Sequence, residues 1–259
     1  MVDAFSVIVG VAVGLAAGYL GAIMVLEKMA LVGDALSHVA LPGLALGILY
    51  GFNPFLGAFV FLFSSALIIW YIQRFTKLSF DTLVGATFTL ALAIGILLVP
   101  QPDLLEALFG DVSKITGLEA AIAVVVSMTS IVLTTLIRKR IVLGLISEEL
   151  AASFGVNIAV VNLAYLLLVS LVVAMGIRIT GTLLVGFLVV TPAAAAKTIS
   201  PNLSRYFMLS SAFGSLSAVA GILVSDFLSQ PPGPMVVLSG VSIFIVVLVV
   251  RWMTKYSPI

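Results

Sequence analysis

The sequence contains no cysteine and a single histidine, His38, among its 259 residues. The lack of cysteine excludes disulfide bonds, thiolate metal sites and cysteine nucleophiles. One histidine cannot supply both imidazoles of an H-E-x-x-H zinc protease, and the chain has neither a Gly-x-x-x-x-Gly-Lys-Ser/Thr phosphate loop nor a Gly-x-Ser-x-Gly nucleophile elbow. These absences argue against a hydrolytic enzyme and against an ATP site of the phosphate-loop kind.

Charged residues are also scarce, at 9% of the chain, whereas 62% of the residues are hydrophobic. In ordinary soluble domains about 25% of the residues are charged and about 45–50% are hydrophobic, so a soluble core is excluded. At about 20 apolar residues per crossing, nine crossings take roughly 180 residues. We therefore predict an all-α, polytopic membrane protein with eight or nine transmembrane helices, folded as a single domain over 1–259. The nine apolar segments are 4–26, 31–50, 54–73, 82–99, 118–137, 157–176, 180–197, 205–228 and 235–253.

The placement of positive charge predicts the orientation, whereas the net charge of +1 indicates no nucleic-acid partner. Basic residues in short loops stay on the cytoplasmic side. With nine spans and the N-terminus outside, only Lys114 and Arg178 fall outside. If segment 180–197 is instead re-entrant, the count drops to eight and the N-terminus moves inside. The ten basic residues inside in the nine-span arrangement are Lys28, Arg74, Lys77, Arg138, Lys139, Arg140, Lys197, Arg205, Arg251 and Lys255.

Asp34 and His38 lie four residues apart between two long apolar stretches. On a helix this spacing places both side chains on one face. A carboxylate within the bilayer costs at least about 2.5–3.5 kcal/mol, so such a pair indicates a functional site. Mixed oxygen and nitrogen ligands suit zinc, manganese and iron, and a two-fold dimer with this helix at its axis would supply four. The alternative is structural: Asp34 caps a helix and His38 hydrogen-bonds to a neighbouring helix.

A second candidate site is a short amphipathic helix on the predicted cytoplasmic side. Its serine is typical of an N-cap, its acids occupy the first turn and its glycine is a stop signal. Such a helix could dock on a soluble partner, and the alternative is an interfacial helix that lies on lipid. The residues are Ser147, Glu148, Glu149, Leu150, Ala151, Ala152, Ser153, Phe154 and Gly155.

Together these stretches resemble the permease subunits of ATP-binding-cassette importers for zinc, manganese and iron. The most specific match is the G-D-x-x-S-H motif within Met29 to Gly43. Four further stretches match over nearly the full chain: Leu104 to Asp111, Ser147 to Asn157, Gly181 to Ala195, and Pro232-Gly233-Pro234.

The resemblance implies a homodimeric, alternating-access pore that has no ATPase site of its own. It implies two cytoplasmic ATP-binding-cassette ATPases, which contact the coupling helix at Ser147 to Gly155, and an extracytoplasmic metal-binding protein. The transported ion would bind at Asp34 and His38, with no prosthetic group. The location would be a bacterial or archaeal plasma membrane, with the lipid bilayer as the remaining partner.

Two other functions compete with the importer. A proton-coupled secondary metal carrier would show inverted repeats and several intramembrane polar ligands, but the sequence shows no convincing repeat. An intramembrane protease would need a serine that His38 activates, and Ser37 lies about 100° round the helix from it. The donor set disfavours copper(I), because it contains no thiolate, but leaves manganese, zinc and ferrous iron open.

Overall fold

The computed structural model describes residues 3–76, 78–98, 108–110 and 115–256. Within these ranges the chain forms ten helices. They are α1 (Ala4–Leu26), α2 (Ala30–Val39), α3 (Leu41–Tyr50), α4 (Pro54–Phe75), α5 (Phe80–Leu98), α6 (Gly117–Ile146), α7 (Glu148–Ser153), α8 (Ile158–Ile199), α9 (Leu203–Leu228) and α10 (Pro232–Tyr256).

Eight helices of the described chain are long and apolar enough to cross a membrane, with α2 and α3 together forming one of them over Val32–Tyr50. The predicted all-α polytopic fold is therefore confirmed. The predicted span 180–197 corresponds to a shorter apolar helix, Leu184–Ile199, which is the second arm of α8. At 1.5 Å per residue, its 16 residues extend about 24 Å, somewhat less than a typical hydrocarbon core.

Helix α8 folds back on itself at Gly181, which has a non-helical backbone with φ 72°. The residues Gly176 and Val185 are in contact across this break, whereas nine residues of continuous helix would separate them by about 13 Å. Both arms then run beside α1 at the same depth. Tyr165 of the first arm donates a hydrogen bond to the Leu20 carbonyl at 2.8 Å, and Val189 of the second arm packs on Gly21.

The second arm of α8 returns to the end of the molecule from which the first arm started. Its Lys197 ammonium donates to the Val25 carbonyl at 3.4 Å, near the C-terminal end of α1. Within the described residues the chain therefore passes nine times between its two ends when the short second arm of α8 is counted with the eight longer spans. Asp3 lies at the end opposite to α7. The α7 end is the cytoplasmic one by the positive-inside rule, because the described basic residues there are Lys28, Arg74, Arg138, Lys139, Arg140, Lys197, Arg205, Arg251 and Lys255. Lys77 lies outside the described residues, and Lys114 does too.

Small residues allow the central helices to approach closely. α1 and α9 run antiparallel, with Gly14 against Gly214 and Gly18 against Ser210, and neither glycine leaves room for a Cβ atom. Close packing of this kind stabilises helix association in lipid, where the hydrophobic effect does not drive helices together. α1 and the α2–α3 pair are mostly buried, whereas α5 and α10 are mostly exposed. The helix pair that carries Asp34 therefore packs against the core over most of its surface, whereas Asp34 itself is exposed.

The loop before α6 is described only in part. Leu108, Phe109 and Gly110 pack against the break in α8, where the Leu108 carbonyl meets Gly181. The remainder of the motif Leu104 to Asp111 lies outside the described residues. α6 itself begins with a capping box, in which Thr116 and Glu119 exchange side-chain to backbone hydrogen bonds.

Glu27 directly follows α1 on the cytoplasmic side, and its burial raises the pKa of its carboxyl from 4.5 to about 7. Below pH 4.5 the carboxyl is protonated in both the folded and the unfolded chain, so folding does not bury a charge. Above pH 7 the folded protein must bury the carboxylate, which costs about 3 kcal/mol. We expect Glu27→Gln to raise the Tm of the purified protein at pH 8 but hardly at pH 5. Parallel Tm profiles of the two proteins across this range would contradict the expectation.

Candidate metal site

Pro42 sets the end of the helix that carries the acid and the histidine. Proline has no backbone N–H, so the hydrogen bond that residue 42 would donate to the His38 carbonyl is missing. α2 ends at Val39 and α3 begins at Leu41, with Pro42 in its first turn. The break therefore falls directly after Asp34 and His38, which remain on one face of the short helix α2.

Asp34 is exposed and lines a cavity of about 270 Å³ between α2 and α5. A second carboxylate, that of Asp81, lines the same cavity, together with Gly85 and Phe88 of α5. The N-cap of α2 is Met29, five residues before Asp34, and no side-chain cap is found there among the described residues. The alternative in which Asp34 acts as a helix cap is therefore wrong, and its carboxylate faces an open space instead.

His38 is only 7% exposed, and its ring packs edge-on against Phe88 with centroids 5.2 Å apart. The Nδ1 atom of His38 is buried and has no hydrogen-bond partner among the described residues. The alternative in which His38 hydrogen-bonds to a neighbouring helix is therefore wrong for its Nδ1 atom. A buried polar atom without a partner is costly and calls for a missing ligand, ion or water.

Ser37 takes no part in a nucleophile arrangement. Its hydroxyl donates a hydrogen bond of 2.6 Å to the backbone carbonyl of Asp34, one turn earlier in the same helix. The side chain is fully buried. The geometry therefore gives no support to the intramembrane protease, in which His38 would have to activate this hydroxyl.

Gly186, in the second arm of α8, fixes the position of α2. A Cβ atom at Gly186 would collide with the backbone of Asp34. We expect Gly186→Ala to displace Asp34, reduce metal uptake and destabilise the protein by about 1–3 kcal/mol, because the two backbones cannot separate without repacking.

Gly85→Ala is the matched control for this substitution. Gly85 borders the same cavity, but a Cβ atom there would meet no described atom within 4 Å. Alanine also favours helix by about 1 kcal/mol relative to glycine. Equal losses of uptake and Tm in the two variants would show that the contact between Gly186 and Asp34 has no special importance.

The predicted coupling segment forms a shorter helix than expected. α7 covers Glu148–Ser153, and the Ser147 hydroxyl accepts a hydrogen bond from the Leu150 amide at 3.1 Å, as predicted for an N-cap. Gly155 adopts φ 72°, as predicted for a stop. Ala151 is completely buried, whereas Phe154 is 71% exposed. The segment is therefore anchored through Ala151, and its free side exposes the apolar Leu150 and Phe154 beside the acidic Glu148 and Glu149.

Sequence reasoning did not identify Asp81, Phe88 or Gly186. Spacing along one helix identifies neighbours only on that helix, and these three residues reach Asp34 or His38 from α5 and α8. A signal was present for Asp81, which is an acid in the first turn of an apolar span, and for Gly186, which interrupts an apolar run.

Known proteins with similar sequences and structures are transport permeases. The chain is 31% identical over 245 residues to the "Manganese transport system membrane protein MntC" of Listeria innocua, covering 93% of this chain and 88% of that protein. It is 30% identical over 256 residues to the "High-affinity zinc uptake system membrane protein ZnuB" of Haemophilus influenzae, covering 95% of this chain and 96% of that protein. A solved structure, "PsaBC from Streptococcus pneumoniae in complex with Fab", matches with a TM-score of 0.85 and 30% identity, covering 98% of this chain and 94% of that one.

The sequence profile of the ABC 3 transport family matches residues 1–251. This family comprises permease subunits of ATP-binding-cassette importers, in which a separate subunit hydrolyses ATP. The comparisons lend no support to the proton-coupled carrier. The protein is thus the multi-pass membrane subunit of an ATP-driven divalent-metal importer, and the chain belongs to the ABC 3 transport family.

Proposed function

We propose that this permease carries manganese or zinc into the cell and that Asp34 and His38 bind the ion during its passage. The observation that carries the proposal is the buried Nδ1 of His38, which has no hydrogen-bond partner in the part of the chain that the structure describes. It lies one helical turn from an exposed carboxylate on a cavity wall. A nitrogen and an oxygen donor without thiolate match the preferences of both metals. The relatives named above as manganese and zinc proteins support the same two candidates.

Two copies of the chain complete the metal site in this proposal. One Asp34 and one His38 supply only two ligands, and two ligands bind a divalent ion weakly. A two-fold axis beside α2 supplies the pair twice, giving two oxygen and two nitrogen donors. The two carboxylates then neutralise the charge of the ion, so that a dication can occupy a bilayer segment at a smaller electrostatic cost.

The two ends of the molecule bind different partner proteins in this proposal. We assign α7 and its flanking residues to the contact with the cytoplasmic ATPase, because Leu150 and Phe154 expose apolar side chains on the basic, cytoplasmic end. The opposite end receives the ion from an extracytoplasmic metal-binding protein. The whole chain, 1–259, acts as one transmembrane domain in a bacterial plasma membrane.

A complementation experiment tests the transported metal. Cells that lack the permease gene receive the wild-type gene, and their manganese, zinc and iron contents are measured with and without a functional partner ATPase. We expect restoration of manganese or zinc only when the ATPase is active. Restoration of iron alone would overturn the choice of metal, and restoration without ATPase activity would overturn ATP-driven import.

A further inference from the structure

A basic cavity lies at the cytoplasmic end of the molecule, and none of its described lining residues lines the cavity of Asp34. It has a volume of about 330 Å³ and is lined by Arg138, Lys139 and Val142 of α6 and by Leu203 and Ser204 of α9. The described lining thus contains two cations and a hydroxyl but no carboxylate. Arg205 follows Ser204 directly and is exposed. An anion is the ligand that such a lining favours.

Arg138 is held in place by groups from two other helices. Its guanidinium donates to the Tyr19 hydroxyl at 3.4 Å and lies over the Phe207 ring at 5.6 Å from the centroid. One donor is used in this way, and a guanidinium has five N–H donors in a planar fork that suits phosphate. The cation is therefore oriented in advance, which lowers the entropy cost of binding a ligand.

The surroundings of the cavity identify the anion as part of a lipid. Leu136 lies one turn from Lys139 on the same face of α6, and Met208 lies one turn from Ser204 on the same face of α9. Both side chains are 69% exposed, and both lie on the membrane side of the cations. A phosphate group with attached acyl chains matches this arrangement of cations beside exposed apolar side chains. Basic cavities between transmembrane helices on the cytoplasmic side suit anionic lipid headgroups.

We propose that Arg138, Lys139 and Ser204 bind the phosphate group of an anionic membrane lipid of the phosphatidylglycerol class. The bound phosphate bridges α6, which leads into the coupling segment, to α9. Because Arg138 also contacts α1 through Tyr19, the lipid stabilises the junction of three helices. Free cytosolic phosphate lacks acyl chains, so it gains nothing from Leu136 and Met208.

Lys139→Gln tests the proposal, with Arg140→Gln as the matched control. Each variant removes one positive charge from an exposed position on α6, but only Lys139 lines the cavity. The permease–ATPase complex is purified in uncharged detergent, and its affinity for phosphatidylglycerol is measured by titration with native mass spectrometry. We expect Lys139→Gln to weaken binding about fivefold and Arg140→Gln less than about twofold because its charge is screened.

Three results would overturn the proposal. Equal losses of affinity in both variants would mean that the lipid is attracted only by the overall positive charge of the cytoplasmic end and does not bind in the cavity. An affinity of the complex for inorganic phosphate as high as its affinity for phosphatidylglycerol would identify a soluble anion as the ligand. Binding of phosphatidylglycerol to the permease alone, but not to the complex, would show that the ATPase covers the cavity.

Discussion

Asp34→Asn is expected to abolish metal uptake while the protein remains folded. In the proposed dimer the substitution removes both carboxylates and the charge that neutralises the ion. Replacement of groups that merely orient metal ligands costs 10–100-fold in affinity, so loss of the ligands should cost more than about 100-fold. Asp34 is exposed on the cavity wall, and a neutral amide there removes the cost of a charge within the bilayer. Expression and Tm should therefore stay at or above those of the wild type.

His38→Gln should give the same loss of uptake as Asp34→Asn. Glutamine is chosen over alanine because the buried ring packs against Phe88, and a smaller side chain would leave a void. Asp3→Asn is the control for the loss of a carboxylate, since Asp3 is exposed at the opposite end and its side chain caps no helix. Uptake is measured with radioactive manganese or zinc at equal expression. Wild-type uptake by either site variant would show that the pair is structural.

The second large effect is expected at the coupling segment. The double substitution Leu150→Ala and Phe154→Ala removes two exposed apolar side chains without touching Ala151, which anchors α7. If both side chains insert into the ATPase, truncation should weaken the complex by at least about 2 kcal/mol, or about 30-fold. Uptake should fall in parallel, while the affinity of the permease for its ion should be unchanged.

Phe227→Ala provides the control for this double substitution. Phe227 is 87% exposed near the C-terminal end of α9, on the side away from α7. Its loss should leave ATPase binding intact, as judged by co-purification of the two subunits. If the double variant retains the ATPase and full uptake, α7 lies on lipid, and the contact with the ATPase must be sought elsewhere on the cytoplasmic end.

Most of the fold could be predicted from hydrophobicity because each crossing needs a long apolar run. Asn53 begins α4 with a side-chain cap, Ser147 begins α7 in the same way, and Gly155 ends its segment, all from local signals. The fold-back at Gly181 was harder to predict. The sequence permitted either a full ninth span or a re-entrant segment, and only contacts with α1 show that the second arm reaches the cytoplasmic end.

The candidate site was predictable only in part, for a related reason. Asp34 and His38 are neighbours along one helix, and their four-residue spacing is sufficient to bring them together. The approach of Asp81 and Phe88 depends on how α5 packs against α2, which no local pattern specifies. That Nδ1 of His38 meets no hydrogen-bond partner within residues 3–76, 78–98, 108–110 and 115–256 likewise depends on how all of these helices pack.

The stoichiometry of bound metal tests most directly whether two Asp34–His38 pairs hold one ion. The purified permease–ATPase complex is equilibrated with manganese or zinc, and metal and protein are quantified by elemental analysis after removal of free ion. We expect one tightly bound ion per two permease chains in the wild type and none in Asp34→Asn. One ion per permease chain, or unchanged binding by Asp34→Asn, would contradict a shared site built from these two residues.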